Sequence, residues 1–222
     1  MLEAALQAGF LSVGMNVRLL GPLPTPGVAY LTKSFRNQCG VVISASHNDY
    51  HDNGIKIFDN YGVKIDRKIE MMIENILSEE ITSLPSVQIG KAKRFDESGP
   101  RYVEFCKSTV PDEISFTNLR IVLDCANGAS YKVSPDVFNE LGAETIVVGD
   151  NPDGFNINQE CGSTNPELVQ KLVKKHRADF GVSLDGDADR VTIVDKESNI
   201  LDGDDILYIC LLYTSDAADD DV

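Results

Sequence analysis

A chain of 222 residues with 42% hydrophobic and 25% charged side chains is long enough to bury one large core or two modest ones, which excludes wholesale disorder. Its 35 acidic against 20 basic side chains give a formal net charge of -15, which repels nucleic-acid backbones and anionic membranes, so neither is expected as a partner. A small phosphorylated ligand remains admissible, because a local group of lysine, arginine and backbone N–H donors can oppose the global field.

In chain order, Leu2, Ala5, Leu6, Phe10 and Leu11 share one face of a helix over 2–13, with no basic leader of the signal-peptide kind. Five cysteines (39, 106, 125, 161, 210) lie scattered without a C-x-x-C pair, which points to a reduced, cytoplasmic setting. No apolar run approaches the ~20 residues of a membrane helix. Residues 16–20 read as a short strand and Gly21-Pro22 as a turn, while Thr25-Pro26 reads as a helix start, with Thr25 as cap and Pro26 in the first helical position. A strand over 40–44 and an amphipathic helix over 66–77 follow. Residues 78–99 have mixed charge, Pro85 and two glycines and no sustained period, so they read as a linker.

A second run then begins: helix 101–109, strand 119–124, helix 134–141, strand 144–148, helix 166–176, and strands 180–185 and 190–195. The fold class expected is α/β: two successive α/β domains with mixed, mostly parallel sheets covered by helices. In such sheets ligands gather at the carboxyl ends of strands.

LDGDADR (184–190) directly follows the apolar FGVS. Asp185, Asp187 and Asp189 alternate with small residues, and in an extended segment that spacing puts three carboxylates on one side. Three such charges repel one another unless a cation lies between them, and an all-oxygen donor set selects a hard ion, Mg2+ or Ca2+. The competing reading is a charged surface turn. A calcium EF-hand starting at Asp185 is rejected, because its sixth and twelfth positions hold Arg190 and Lys196 in place of glycine and glutamate. An aspartyl-nucleophile phosphatase with Asp185 as nucleophile stays open. Arg190 either pairs with Asp189 or reaches for a phosphate that the metal also holds.

SASHN (44–48) interrupts a strand in the same way, with Ser46 two residues past its end and a second apolar run, DNGIKIF, after it. Serine and asparagine often fold back on local backbone, so a plain polar turn competes with a reactive loop. His47 and Lys56 flank a serine that could carry a phosphoryl group. Such a group would give the metal an anionic oxygen while the cationic side chains stabilise the transferring charge. ECGSTNP (160–166) reads as a tight turn and helix start, capped by Thr164 with Glu167 or by Asn165, and DCANG (124–128) as a strand end with an Asn-Gly turn. A structural role suffices for both.

Four segments together resemble the α-D-phosphohexomutase family, closest to its bacterial glucosamine-phosphate branch: GPLPTPGVAYLT (21–32), VISASHN with DNGIKIF, LDCANGA (123–129), and NINQECGSTNPE followed by SLDGDADRVTIVD. The resemblance implies an isomerase that interconverts glucosamine 6-phosphate and glucosamine 1-phosphate through a phosphoserine and a bisphosphorylated hexosamine, toward UDP-N-acetylglucosamine and cell-wall synthesis. The mannose and glucose branches are the substrate alternatives, and a metal-binding interaction module is the non-enzymatic one. Carried onto this sequence, the resemblance makes Ser46 the phosphoserine, and phosphorylated Ser46 with Asp185, Asp187 and Asp189 the Mg2+ ligands. It makes His47 and Lys56 the catalytic neighbours, and Asn48 and Arg190 phosphate contacts. It divides the chain into residues 1–98, a partial first domain with linker; 99–200, the second; and 201–222, the start of a third. The terminal LLYTSDAADDDV departs from the family and reads as a non-native or frayed end. Asp49 stands where the family continues with proline, an added charge that should weaken retention of the phosphate on Ser46.

Overall fold

The computed structural model describes residues 1–80 and 82–219, with side chains through Leu212 in the last helix. Contacts divide the chain into two units: residues 1–44 with 53–102, and residues 45–52 with 103–222. The loop that follows the strand over 40–44 thus groups with the second unit. The end of the chain lies partly outside the described residues, at 220–222.

In the first unit, α1 (Leu2–Ser12) leads into β1 (Val17–Leu19), and α2 (Thr25–Ser34) buries Val28 and Leu31. Pro24, not Thr25, occupies the cap of α2, which moves Pro26 to the second helical position. Proline is tolerated there because its missing N–H has no intrahelical partner to lose. β2 (Gly40–Ser44) and β3 (Gly54–Phe58) form an antiparallel pair with Ser44 opposite Gly54. In α3 (Arg67–Ile76) the Asp66 carboxylate accepts the Ile69 N–H at 2.9 Å, the sequence's own N-cap. Within the stretch read as linker lies β4 (Ala92–Arg94), parallel to β1. Three exposed residues reading Ala-Lys-Arg carry no apolar period, which is why the pattern misses this strand.

α4 (Ser98–Ser108) carries the chain from the first unit into the second. There, β5 (Arg120–Asp124), α5 (Val133–Glu140), β6 (Glu144–Val148), α6 (Glu167–His176), β7 (Phe180–Leu184), β8 (Val191–Asp195) and β9 (Ile200–Leu201) build one mixed sheet in the order β6-β5-β7-β8-β9. Pairing is parallel where a helix intervenes (β5 with β6 and β7) and antiparallel where a short loop does (β7 with β8, β8 with β9). The six residues between β7 and β8 cannot make a crossover, so DGDADR (185–190) closes a hairpin, with Leu184 opposite Val191.

Alternation along β5 supplies both faces of the core. Ile121 and Leu123 pack with Cys125, Ala143 and Val182, and Val122 packs with Val169, Val173, Ala178 and Val194. α6 follows ELVQKLVKKH, whose Val169 and Val173 are fully buried while its last turn is basic. Its cap is Pro166 and no side chain caps it, so neither Thr164 nor Asn165 plays the capping role expected. The Arg120 guanidinium donates to the His176 carbonyl at 3.1 Å and satisfies one orphan acceptor at the C-terminal end. Finally α7 (Gly203–Asp219) takes the backbone of most of the terminal stretch read as frayed. Among the described residues, no helix is long and apolar enough to cross a membrane.

Candidate functional site

Three loops of the second unit meet at the carboxyl ends of β5 and β7. The acidic hairpin is not extended as its spacing suggested. The Ala188 N–H returns to the Asp185 carbonyl at 3.0 Å, and Ala188 itself has a left-handed backbone with φ 55°. The tight turn still gathers the carboxylates: one oxygen each from Asp185, Asp187 and Asp189 lie within 4.8 Å of one another, the first two residues buried and the third exposed. In Asp185, Oδ1 accepts the backbone N–H groups of Asp189 and Arg190, each at 3.1 Å, while Oδ2 is buried with no hydrogen-bond partner. Burial pushes the Asp185 carboxyl above the ordinary aspartate range. The Asp187 and Asp189 charges add to that, against the N–H donors. An orphaned, buried carboxylate oxygen among three converging acids is the arrangement a hard cation satisfies, so these residues fit Mg2+.

The floor of this site is the turn after β5. Asp124 is fully buried, and its carboxylate accepts from the Ala126 N–H at 2.9 Å, the Gly162 N–H at 2.7 Å and the Ser183 hydroxyl at 3.3 Å. Burial raises its pKa, and those three donors only partly oppose the rise. Cys125 and Cys161, also buried, have thiols pushed up to about 12 and about 11, which makes them packing groups and not nucleophiles.

Ser46 lies in the loop between β2 and β3 and is left-handed, φ 55°, a conformation disfavoured by ~1–2 kcal/mol in an L-residue. Its carbonyl lies against the acidic loop: a Cβ added to Gly186 would fall 2.6 Å from Ser46 O and 2.6 Å from Ile157 Cδ1, so only glycine fits between them. Asn158 donates from Nδ2 to the carbonyls of Ser46 at 2.9 Å and Asn48 at 2.8 Å. Buried His47 Nδ1 has no protein partner. Asn48 and Asp49 are exposed.

Of the residues singled out in the sequence, Ser46, His47, Asn48, Asp185, Asp187, Asp189 and Arg190 fall in one unit. Arg190 closes the acidic hairpin with its side chain exposed. Lys56 lies in the first unit, half-buried on β3 opposite Val42. The sequence reading missed Asn158, which lies in NINQECGSTNPE, a segment that carries the family resemblance but in which it was given no role. Its one local signal is an asparagine suited to a left-handed position, φ 58°.

Residues 1–83 match the family description phosphoglucomutase/phosphomannomutase, alpha/beta/alpha domain I, and residues 100–199 match domain II of the same family. The chain belongs to the phosphoglucomutase/phosphomannomutase family. Among curated relatives of this phosphoglucomutase/phosphomannomutase chain, the phosphoglucosamine mutase of Chromobacterium violaceum is 53% identical over 94% of this chain and 47% of its own length. That of Legionella pneumophila is 54% identical over 94% and 46%. The chain spans about half the length of the curated relatives it matches. Among solved structures, a phosphoglucomutase/phosphomannomutase family protein of Burkholderia thailandensis is 26% identical with a TM-score of 0.73, covering 90% of this chain and 44% of that one.

Proposed function

We propose that this chain carries the phosphoserine and metal loops of a phosphoglucosamine mutase, a cytoplasmic isomerase that interconverts glucosamine 6-phosphate and glucosamine 1-phosphate through a bisphosphorylated sugar. Residues 1–98 and 99–200 would be its first two domains and 201–222 the start of a third. The observation that carries the reading is the seating of the Ser46 carbonyl against Gly186, in the middle of the acidic hairpin. Relatives above 50% identity bearing that name favour the glucosamine branch over the mannose and glucose ones.

In this reading Ser46 Oγ carries the phosphoryl group. The Oγ–P bond breaks as a sugar hydroxyl oxygen bonds to phosphorus, and that hydroxyl's proton passes to a base, a role this reading gives to His47, whose Nδ1 has no protein hydrogen-bond partner. The bisphosphorylated sugar then returns its other phosphoryl group to Ser46. Asp185, Asp187 and Asp189, joined by an oxygen of phosphorylated Ser46, would hold Mg2+, which when bound neutralises charge on the transferring group. Arg190 and Asn48 bind phosphate oxygens, and Lys56 adds a positive charge.

An aspartyl nucleophile at Asp185 is less well supported. The residue is fully buried, and one of its two oxygens is held by two backbone donors. Incubation with glucosamine 1,6-bisphosphate and Mg2+, followed by phosphopeptide mass spectrometry, tests the assignment. Label is expected on Ser46 and absent from a Ser46→Ala chain. Label on Asp185 would replace the mutase with a phosphatase-type mechanism, and divalent-ion binding with no label would support an interaction module.

A further inference from the structure

Asn158 sits outside every role assigned above, yet its side chain makes two contacts to the loop that carries Ser46. Its Nδ2 spans that loop, donating to the carbonyl of Ser46 at 2.9 Å and to that of Asn48 at 2.8 Å, so the two acceptors bracket His47. The orientation of the amide is fixed by these partners. Reversing it would set Oδ1 against two carbonyl oxygens. Meanwhile Oδ1 is buried and has no partner. An asparagine serving only its own turn uses that oxygen to accept from nearby backbone, whereas here the acceptor is idle and both donors are spent on another segment.

The anchor end is firm. The Asn158 N–H donates to the Ala126 carbonyl at 2.9 Å, in the turn pinned by buried Asp124. The neighbouring residue, Ile157, packs against Gly186 of the acidic hairpin. Three residues earlier, the Phe155 ring meets Tyr50 of the serine loop edge-on, with centroids 5.2 Å apart. One short segment therefore touches the serine loop and the acidic hairpin while being tied to the end of β5. Ser46 holds a left-handed backbone that serine does not favour, and the grip on its carbonyl adds to the Asn48 N–H to Ala45 carbonyl bond, 3.0 Å, that closes the turn.

We propose that Asn158 is the positioning residue for phosphoryl exchange at Ser46: its two donors hold the backbone of the serine loop against the acidic hairpin. The inference rests on the mutase reading. In the step concerned the Ser46 Oγ–P bond forms as a sugar O–P bond of the bisphosphate breaks, and the serine proton passes to the released sugar oxygen.

The test follows phosphate incorporation into Ser46 of the 222-residue chain from glucosamine 1,6-bisphosphate with Mg2+, comparing native protein with Asn158→Ala and Asn158→Asp. Asp keeps the shape of the side chain but donates to neither carbonyl at neutral pH. Misplacement by about an ångström is expected to lower the rate at saturating donor by roughly 10- to 100-fold in both variants. The donor concentration at half-maximal rate and Mg2+ affinity by calorimetry should stay close to native, whereas the melting temperature falls in both variants, more in Asn158→Asp, whose buried carboxylate faces two carbonyl oxygens. Native-like rates in both variants would overturn the positioning role while leaving the mutase reading intact, and no label on native Ser46 would overturn both. Loss of rate and Mg2+ affinity together would reduce Asn158 to a structural residue. Should neither variant fold, NMR of the native chain decides: the Asn158 side-chain amide signals are expected to shift when Ser46 is phosphorylated, and unchanged signals would overturn the proposal.

Discussion

The backbone N–H of Ala129 donates to the carbonyl of Gly186 at 2.8 Å, which sets the turn after β5 in direct contact with the acidic hairpin. The contact depends on Gly128, where an added Cβ would collide with the Gly186 carbonyl and lie 2.6 Å from its Cα. Neither obstacle is a flexible side chain that could swing away. Gly128→Ala is therefore expected to lower unfolding stability by about 3 kcal/mol and to weaken Mg2+ binding. Urea denaturation and calorimetry measure the two effects, and a stability within about 0.5 kcal/mol of native would contradict the close approach.

Removing one charge from the acidic cluster separates its two roles. In Asp185→Asn, one oxygen can still accept from the Asp189 and Arg190 N–H groups, while the other is replaced by an amide donor beside two carboxylates. Without divalent ions this variant should melt at least as high as the native chain, because burial and like-charge repulsion disfavour the native carboxylate. With Mg2+ added, native protein should gain stability and the variant little. Thermal melts with and without Mg2+ check both halves.

Asp124 predicts a pH dependence of definite sign. Its folded carboxyl holds a proton to higher pH than the ordinary value of ~3.9, because burial outweighs its three donors. As pH rises the unfolded chain ionises first, so this group's contribution to stability falls from about that value until the folded carboxyl has ionised too, and is flat beyond. In chelator-treated protein, native stability should therefore drop relative to Asp124→Asn as pH rises from the acid side. A constant difference between the two would show that the shift is absent.

The charge at Asp49 can be assessed the same way. Since its side chain is exposed, its repulsion of a phosphate on Ser46 acts through water and amounts to no more than about 1 kcal/mol. Asp49→Asn should then slow the loss of phosphate from Ser46 by at most about five-fold. Asp49→Pro should match it if charge alone matters, and exceed it if loop stiffness contributes. The decay of phosphorylated protein, followed by intact mass, distinguishes them.

Strands β5 to β8 lie within a residue or so of their sequence positions because each is a short apolar run bounded by turn residues, and buried strands need little else to be recognised. β4, exposed and charged, and the two-residue β9 have no such signal, since pairing with a neighbour alone defines them. The acidic cluster was legible because three like charges after an apolar strand demand an explanation. Its turn geometry was not, since alternation fits an extended segment and a hairpin equally well. Asn158 was invisible for a further reason: its partners lie 110 and 112 residues away, and nothing in its own neighbourhood uses its side chain.

The glycine contacts carry a consequence for variation. Gly128 needs the space of Gly186, Gly186 that of the Ser46 carbonyl and Ile157, and Gly162 that of Ala126 and the Leu184 carbonyl. A side chain at Gly128 or Gly186 must displace backbone of another loop, and one at Gly162 would press on the Ala126 side chain at 2.9 Å from a backbone with φ 85°, so a substitution at any of them is felt beyond its own turn. Substitutions are expected to be absorbed instead at exposed positions outside that frame and outside the ligand set, such as Asp49, whose side chain displaces no neighbouring loop.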